Sequence, residues 1–217
     1  MAISALSEPH ERPRHRGKLH TWTFFVAIPA GVLLILSAER AAGRVGASIY
    51  VATVLAGFGT SAAYHRLAHS ARARKVMQRL DHSMIYLLIA GTYVPICLVA
   101  LPRAWGISVL GAVGAGALLG VVLKLTAFDR VPWISYGLYP VLGWGAIALL
   151  PVLIASLSPL ALGLVLAGGL AYTAGLPVLL FKRPDPWPTL FGYHEIWHGF
   201  TVIAAVLHFG AVVAVVA

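Results

Sequence analysis

Residues 104–127 read AWGISVLGAVGAGALLGVVLKLTA, 24 positions with a single charge, Lys124, close to the end. At ~1.5 Å per residue a helix of that length spans roughly 36 Å, enough to cross the ~30 Å hydrocarbon core of a bilayer. The run is too long and too uniformly apolar for a barrel strand, and it lacks the period-two alternation such a strand shows. Six further apolar stretches lie on either side of it, near 21–38, 47–67, 82–101, 132–154, 158–181 and 193–216. The expected fold class is therefore all-α: a polytopic seven-transmembrane-helix bundle over residues 21–217, preceded by a polar, basic, mobile tail at 1–20. Gly111, Gly116 and Gly120 should let neighbouring helices approach closely. Pro29, Pro95, Pro140 and Pro177 fall inside spans and should kink them. The first span is too long for a signal-peptide core, and Ser37-Ala38-Glu39 is a poor cleavage site, so it reads as a helix.

Composition agrees with a membrane protein. Residues of the A, V, I, L, M, F, W, Y and C set make up 59 % of the 217, and the 22 glycines add about a tenth more. Soluble domains hold ~45–50 % with glycine included, and about 25 % charged residues against 11 % here. Mean hydropathy is +0.85. A disordered chain, a secreted disulfide scaffold and a nucleic-acid-binding domain are excluded on this balance. The single cysteine, Cys97, rules out an internal disulfide and a cysteine-based metal cluster.

The net charge of +9 is explained by its distribution. With the N-terminus taken as cytoplasmic, the inner side carries Arg12, Arg14, Arg16 and Lys18 in the tail. The second loop adds Arg66, Arg72, Arg74, Lys75 and Arg79, the fourth Lys124 and Arg130, and the sixth Lys182 and Arg183. The outer side has Arg40, Arg44 and Arg103. Thirteen against three predicts the N-terminus inside and the C-terminus outside. The basic residues then face anionic lipid, and no nucleic-acid partner is needed.

Ionisable groups within or at the edge of spans mark functional sites. Under this topology Ser61 and His65 end the second span, Asp81 and His82 open the third, and His194, Glu195 and His198 open the seventh, all at one membrane depth. His194 and His198 are spaced i, i+4, so their imidazoles lie one above the other on one helix face. Two such nitrogens and a third from His65 make a site for Zn²⁺ that leaves a position open to water. Asp81 could accept a proton from that water, and Ser61 could orient the water or a substrate oxyanion. Alternatively Asp81 caps its helix or pairs with Arg79. His69 should be solvated, and His82 interfacial. His208, about 15 Å along the helix from His198, is too distant to share an ion and reads as a core histidine. Tyr93 and Pro95 read as a packed kink. His194-Glu195-x-x-His198 also matches the short zinc-protease pattern in which the glutamate is the base. Glu195, however, lies ~100° round the helix from His194 and in a first turn, where the dipole alone favours a carboxylate.

Four stretches taken together resemble the hemolysin III family, the bacterial branch of the progestin and adiponectin receptor superfamily. They are Ser61-Ala-Ala-Tyr64-His65, Leu80-Asp81-His82-Ser83, Ala90-Gly91-Thr92-Tyr93-Val94-Pro95 and Phe191-Gly192-Tyr193-His194-Glu195-Ile196-Trp197-His198. The resemblance implies seven helices, a cytoplasmic N-terminus, a multi-pass place in the bacterial inner (plasma) membrane, and a zinc site near the inner leaflet. It carries over to Ser61, His65, Asp81, His194 and His198. The family is similar in turn to alkaline ceramidases, which suggests zinc-dependent hydrolysis of a lipid amide or ester. The expectation is thus a hydrolase acting on membrane lipids, with His65, His194 and His198 on the metal and Asp81 and Ser61 catalytic. The other reading is a non-enzymatic membrane-homeostasis or cytolytic protein whose zinc is structural.

Overall fold

Lipid offers the backbone no hydrogen-bond partners, so each long apolar run closes its own bonds as a helix. The computed structural model describes residues 13–128, 130 and 132–217. Its helices are α1 (Lys18–Ser37), α2 (Ala41–Leu67), α3 (Ala71–Pro95), α4 (Arg103–Thr126), α5 (Pro132–Trp144), α6 (Leu150–Ser156), α7 (Pro159–Phe181) and α8 (Tyr193–Val216). α5 runs through a 3₁₀ stretch, Gly145–Leu149, into α6 as one span. Seven spans are therefore long and apolar enough to cross a membrane among the described residues.

The element bounds differ from the sequence expectation chiefly at α2 and α3. α3 begins at Ala71, not near 82, so Arg72, Arg74, Lys75 and Arg79 ride its first turns and do not form a loop. Hydropathy marks where a helix enters lipid, whereas hydrogen bonding and the cap mark where it starts. Here Ser70 Oγ accepts from the Ala73 N–H at 3.1 Å. Likewise α1 begins at Lys18, inside what the sequence assigned to the tail; residues 1–12 of that tail, Arg12 included, lie outside the described residues. Pro95 is followed by a π-helical turn, Ile96–Ala100, and Pro140 by the 3₁₀ stretch, so two of the four span prolines sit beside irregular turns.

Consecutive helices pack side by side, and α8 touches α1, α2 and α3 as well as α7. Leu34, Tyr50, Val54, Phe58, Ala205 and Val212 of α1, α2 and α8 form one buried cluster. Ile96, Cys97, Val109, Val113, Leu153 and Ala161 form another. Large apolar side chains point outward on α1, α4, α5 and α7, among them Leu33, Leu118, Trp133 and Leu180, as lipid-facing surface requires. At Gly120 a Cβ would collide with the Tyr86 ring, which explains the glycine; at Gly111 nothing lies within 4 Å, so no close approach is made there. Lys124, counted in the sequence as a loop charge, is 0 % exposed. Its Nζ lies 3.6 Å from the centroid of the Tyr136 ring, with Phe128 and Tyr139 at 5.0 and 5.4 Å, a cation–π cage.

Candidate metal centre

α8 starts where the chain turns back after residues 182–192, and its first two turns face the C-terminal end of α2. The i, i+4 spacing puts His194 and His198 on that face, and His65, on the last turn of α2, meets them. One nitrogen from each of the three imidazoles falls within 4.8 Å of the others. His65 Nε2 and His194 Nε2 are 3.3 Å apart. Two nitrogens ~2.0–2.1 Å from a tetrahedral Zn²⁺ lie about 3.3–3.4 Å apart, so this spacing fits one such ion. His198 is 3 % exposed, and its Nδ1 has no hydrogen-bond partner among the described residues. A buried imidazole nitrogen without a protein partner fits a metal-binding donor set.

Asp81, from α3, brings Oδ2 to 4.0 Å from His65 Nε2 and also lies against Ser61. Ser61, one turn before His65, is 4 % exposed. All five residues singled out from the sequence thus share one end of the bundle. The other candidates stand apart. His69 is exposed. His82 Nδ1 faces the Tyr136 hydroxyl at 3.4 Å. His208 Nε2 donates to the Val165 carbonyl at 3.2 Å, between α8 and α7. Tyr93 donates its hydroxyl to the Leu142 carbonyl at 2.9 Å and so braces α3 against α5.

Glu195 has more to do than meet a helix dipole. It is 1 % exposed; Oε2 accepts the Gly192 N–H at 2.9 Å and Oε1 pairs with Arg16 Nη1 at 3.2 Å. Both oxygens are thus engaged, one by a backbone N–H and the other by a guanidinium. Arg16 belongs to a segment expected to be mobile, yet residues 13–17 are docked: the Arg14 and His15 N–H groups donate to the Thr189 and Leu190 carbonyls at 2.9 and 3.1 Å. Gly17 then turns the chain into α1 at φ 75°, and a Cβ there would lie 2.6 Å from His65 Cβ. Only glycine meets both demands.

Sequence reasoning also missed His20. It is buried at 7 %, stacked on His198, and bonded to Ser61 and Thr201. The signal was present: an imidazole at the edge of the first apolar run, at the same end as the other three. Drawing the tail to residue 20 concealed it.

The comparisons agree with this architecture. The family model described as "Haemolysin-III related" matches residues 10–209. A "Hemolysin-3 homolog" of Bacillus subtilis (strain 168) is 33 % identical over 180 residues, covering 82 % of this chain and 81 % of the relative. "Hemolysin-3" of Bacillus cereus is 31 % identical over 187 residues, 85 % and 82 % of the two chains. "Heptahelical transmembrane protein ADIPOR2" of Oryza sativa subsp. japonica is 33 % identical over 177 residues, 70 % and 73 % of the two, and links the chain to the adiponectin receptor superfamily. With seven spans, a match over nearly the whole chain and relatives of similar length, this protein belongs to the haemolysin III family of integral membrane proteins.

Proposed function

We propose that the protein is a zinc-dependent hydrolase of lipid amides or esters, working at the inner leaflet of a bacterial plasma membrane with its N-terminus in the cytoplasm. The observation that carries this reading is the convergence of three imidazoles beside one carboxylate, inside an apolar bundle. His65, His194 and His198 would hold the ion. Zinc bound there supplies Lewis acidity, which makes a water nucleophilic near neutral pH.

The chain's own residues do the rest. Asp81, whose Oδ2 lies 4.0 Å from His65 Nε2, takes a proton from the attacking water. Ser61 holds that water or the substrate in place. Glu195 is held by Arg16 and Gly192, which supports Asp81 over Glu195 as the base and counts against the zinc-protease pattern. Lipid-facing helices of Ala, Leu and Gly suit a substrate that arrives through the bilayer. Hydrolysis of a panel of lipid amides and esters by the purified protein, with and without chelator, tests this. We expect chelator-sensitive turnover; no turnover at full zinc occupancy would overturn it.

A second reading rests on the names of the relatives, one called "Hemolysin-3" and another "Hemolysin-3 homolog". In it the metal ties α2 to α8 and the protein acts on membrane integrity, as a cytolytic or homeostatic factor. Dye leakage from liposomes separates the two: leakage without turnover favours this second reading, and turnover without leakage the first.

A further inference from the structure

His20 takes part in no step derived above, yet it is among the most constrained side chains at the centre. Its ring lies parallel to that of His198, centroids 3.7 Å apart and planes 15° from coincidence, and Phe58 meets it edge-on at 4.9 Å. Nδ1 is 2.8 Å from Ser61 Oγ, and Nε2 is 2.9 Å from Thr201 Oγ1. Thr201 Oγ1 donates to the His198 carbonyl at 2.8 Å, so its oxygen accepts from His20 Nε2. Ser61 Oγ lies between His20 Nδ1 and the Asp81 carboxyl.

We propose that His20 is a positioning residue of the metal centre, its ring face fixing the plane of His198 and its Nδ1 holding the Ser61 hydroxyl in place. The inference rests on the three-imidazole reading. His20 is not a fourth ligand, since both of its nitrogens are engaged by hydroxyls. Thr201 sits three residues after His198 on the same helix, so the bond from His20 ties α1 to the turn that carries a metal-binding imidazole. Ser61 Oγ also lies against the Asp81 carboxyl, so His20 holds Ser61, and through it the Asp81 side of the centre, to α1.

The test is metal binding by the full-length protein in detergent micelles, titrated with Zn²⁺ against a competing chelator and with Co²⁺ for its visible absorption. His20→Ala should weaken zinc binding by about 10–100-fold, the range for residues that orient metal-binding histidines, and shift the cobalt bands. His20→Gln keeps a donor for Thr201 and an acceptor for Ser61 but no ring. His20→Phe keeps the ring and neither bond. Each should recover part of the affinity, and His69→Ala should match the wild type. Should His20→Ala aggregate, the Gln and Phe variants carry the test: wild-type affinity and cobalt bands in both would overturn the inference. A wild type that binds neither metal would overturn the three-imidazole reading and this inference with it; a wild type that binds, with His20 variants indistinguishable from it, would overturn this inference alone.

Discussion

Glu195→Gln separates two accounts of the same carboxylate. If Glu195 only met the dipole of α8, its loss would be worth ~0.3–1 kcal/mol. The structure assigns it more: a buried carboxylate at 1 % exposure pairs with an Arg16 side chain at 21 %. A hydrogen bond to a charged group contributes ~1.5–3 kcal/mol, and the partial exposure of Arg16 argues for the lower part of that range. Glutamine can still accept from the Gly192 N–H, so Glu195→Gln isolates the ion pair and should destabilise by about 1–2 kcal/mol. Alanine removes the cap bond too, a further ~0.5–2 kcal/mol, giving about 1.5–4 kcal/mol in total. The assay is reversible unfolding in mixed micelles, with Arg16→Gln and the double variant closing a cycle whose coupling should be about 1–2 kcal/mol. Chelator-sensitive hydrolysis should survive in Glu195→Gln. Stability within ~0.5 kcal/mol of the wild type, the range of an ordinary surface change, would refute the pairing argument. Lost hydrolysis with unchanged stability would make Glu195 the base.

Other perturbations probe the same end of the bundle. Asp81→Asn should leave zinc bound within about 10–100-fold of wild-type affinity, because Asp81 faces His65 without belonging to the three imidazoles, and should lower hydrolysis by ~10²–10⁴-fold; turnover on the lipid panel and zinc titration read the two effects separately. Gly17→Ala should destabilise by at least ~1–2 kcal/mol through its left-handed φ and should also weaken zinc binding, since its Cβ presses on His65; a wild-type melting curve and wild-type affinity would contradict both. Reporters fused before Met1 and after Ala217 should read as cytoplasmic and non-cytoplasmic, following the thirteen-to-three basic asymmetry; a cytoplasmic C-terminal reporter would break that topology.

The spans were legible because lipid demands a long apolar run of each crossing helix, and 104–127 meets that demand by itself. The grouping of His65, Asp81, His194 and His198 was legible because alternating helices bring every second loop to one end, whatever the packing. What composition could not reveal was which charges leave the surface. Lys124 and Arg16 counted as loop and tail cations, yet one is caged by Tyr136, Phe128 and Tyr139 and the other pairs with Glu195, because both depend on partners distant in sequence. His20 was hidden for the same reason: its meaning lies in Ser61, 41 residues away, and Thr201, 181 residues away. Gly17 looked like tail composition, and only the approach of His65 shows why it is glycine.

The most direct test of the metal centre is the zinc content of the purified protein, measured by elemental analysis beside five alanine variants. We expect about one zinc per chain in the wild type, severe loss in His65→Ala, His194→Ala and His198→Ala, and full retention in His69→Ala and His208→Ala. A wild type without zinc, or equal loss across all five variants, would contradict the assignment of these three imidazoles to one ion.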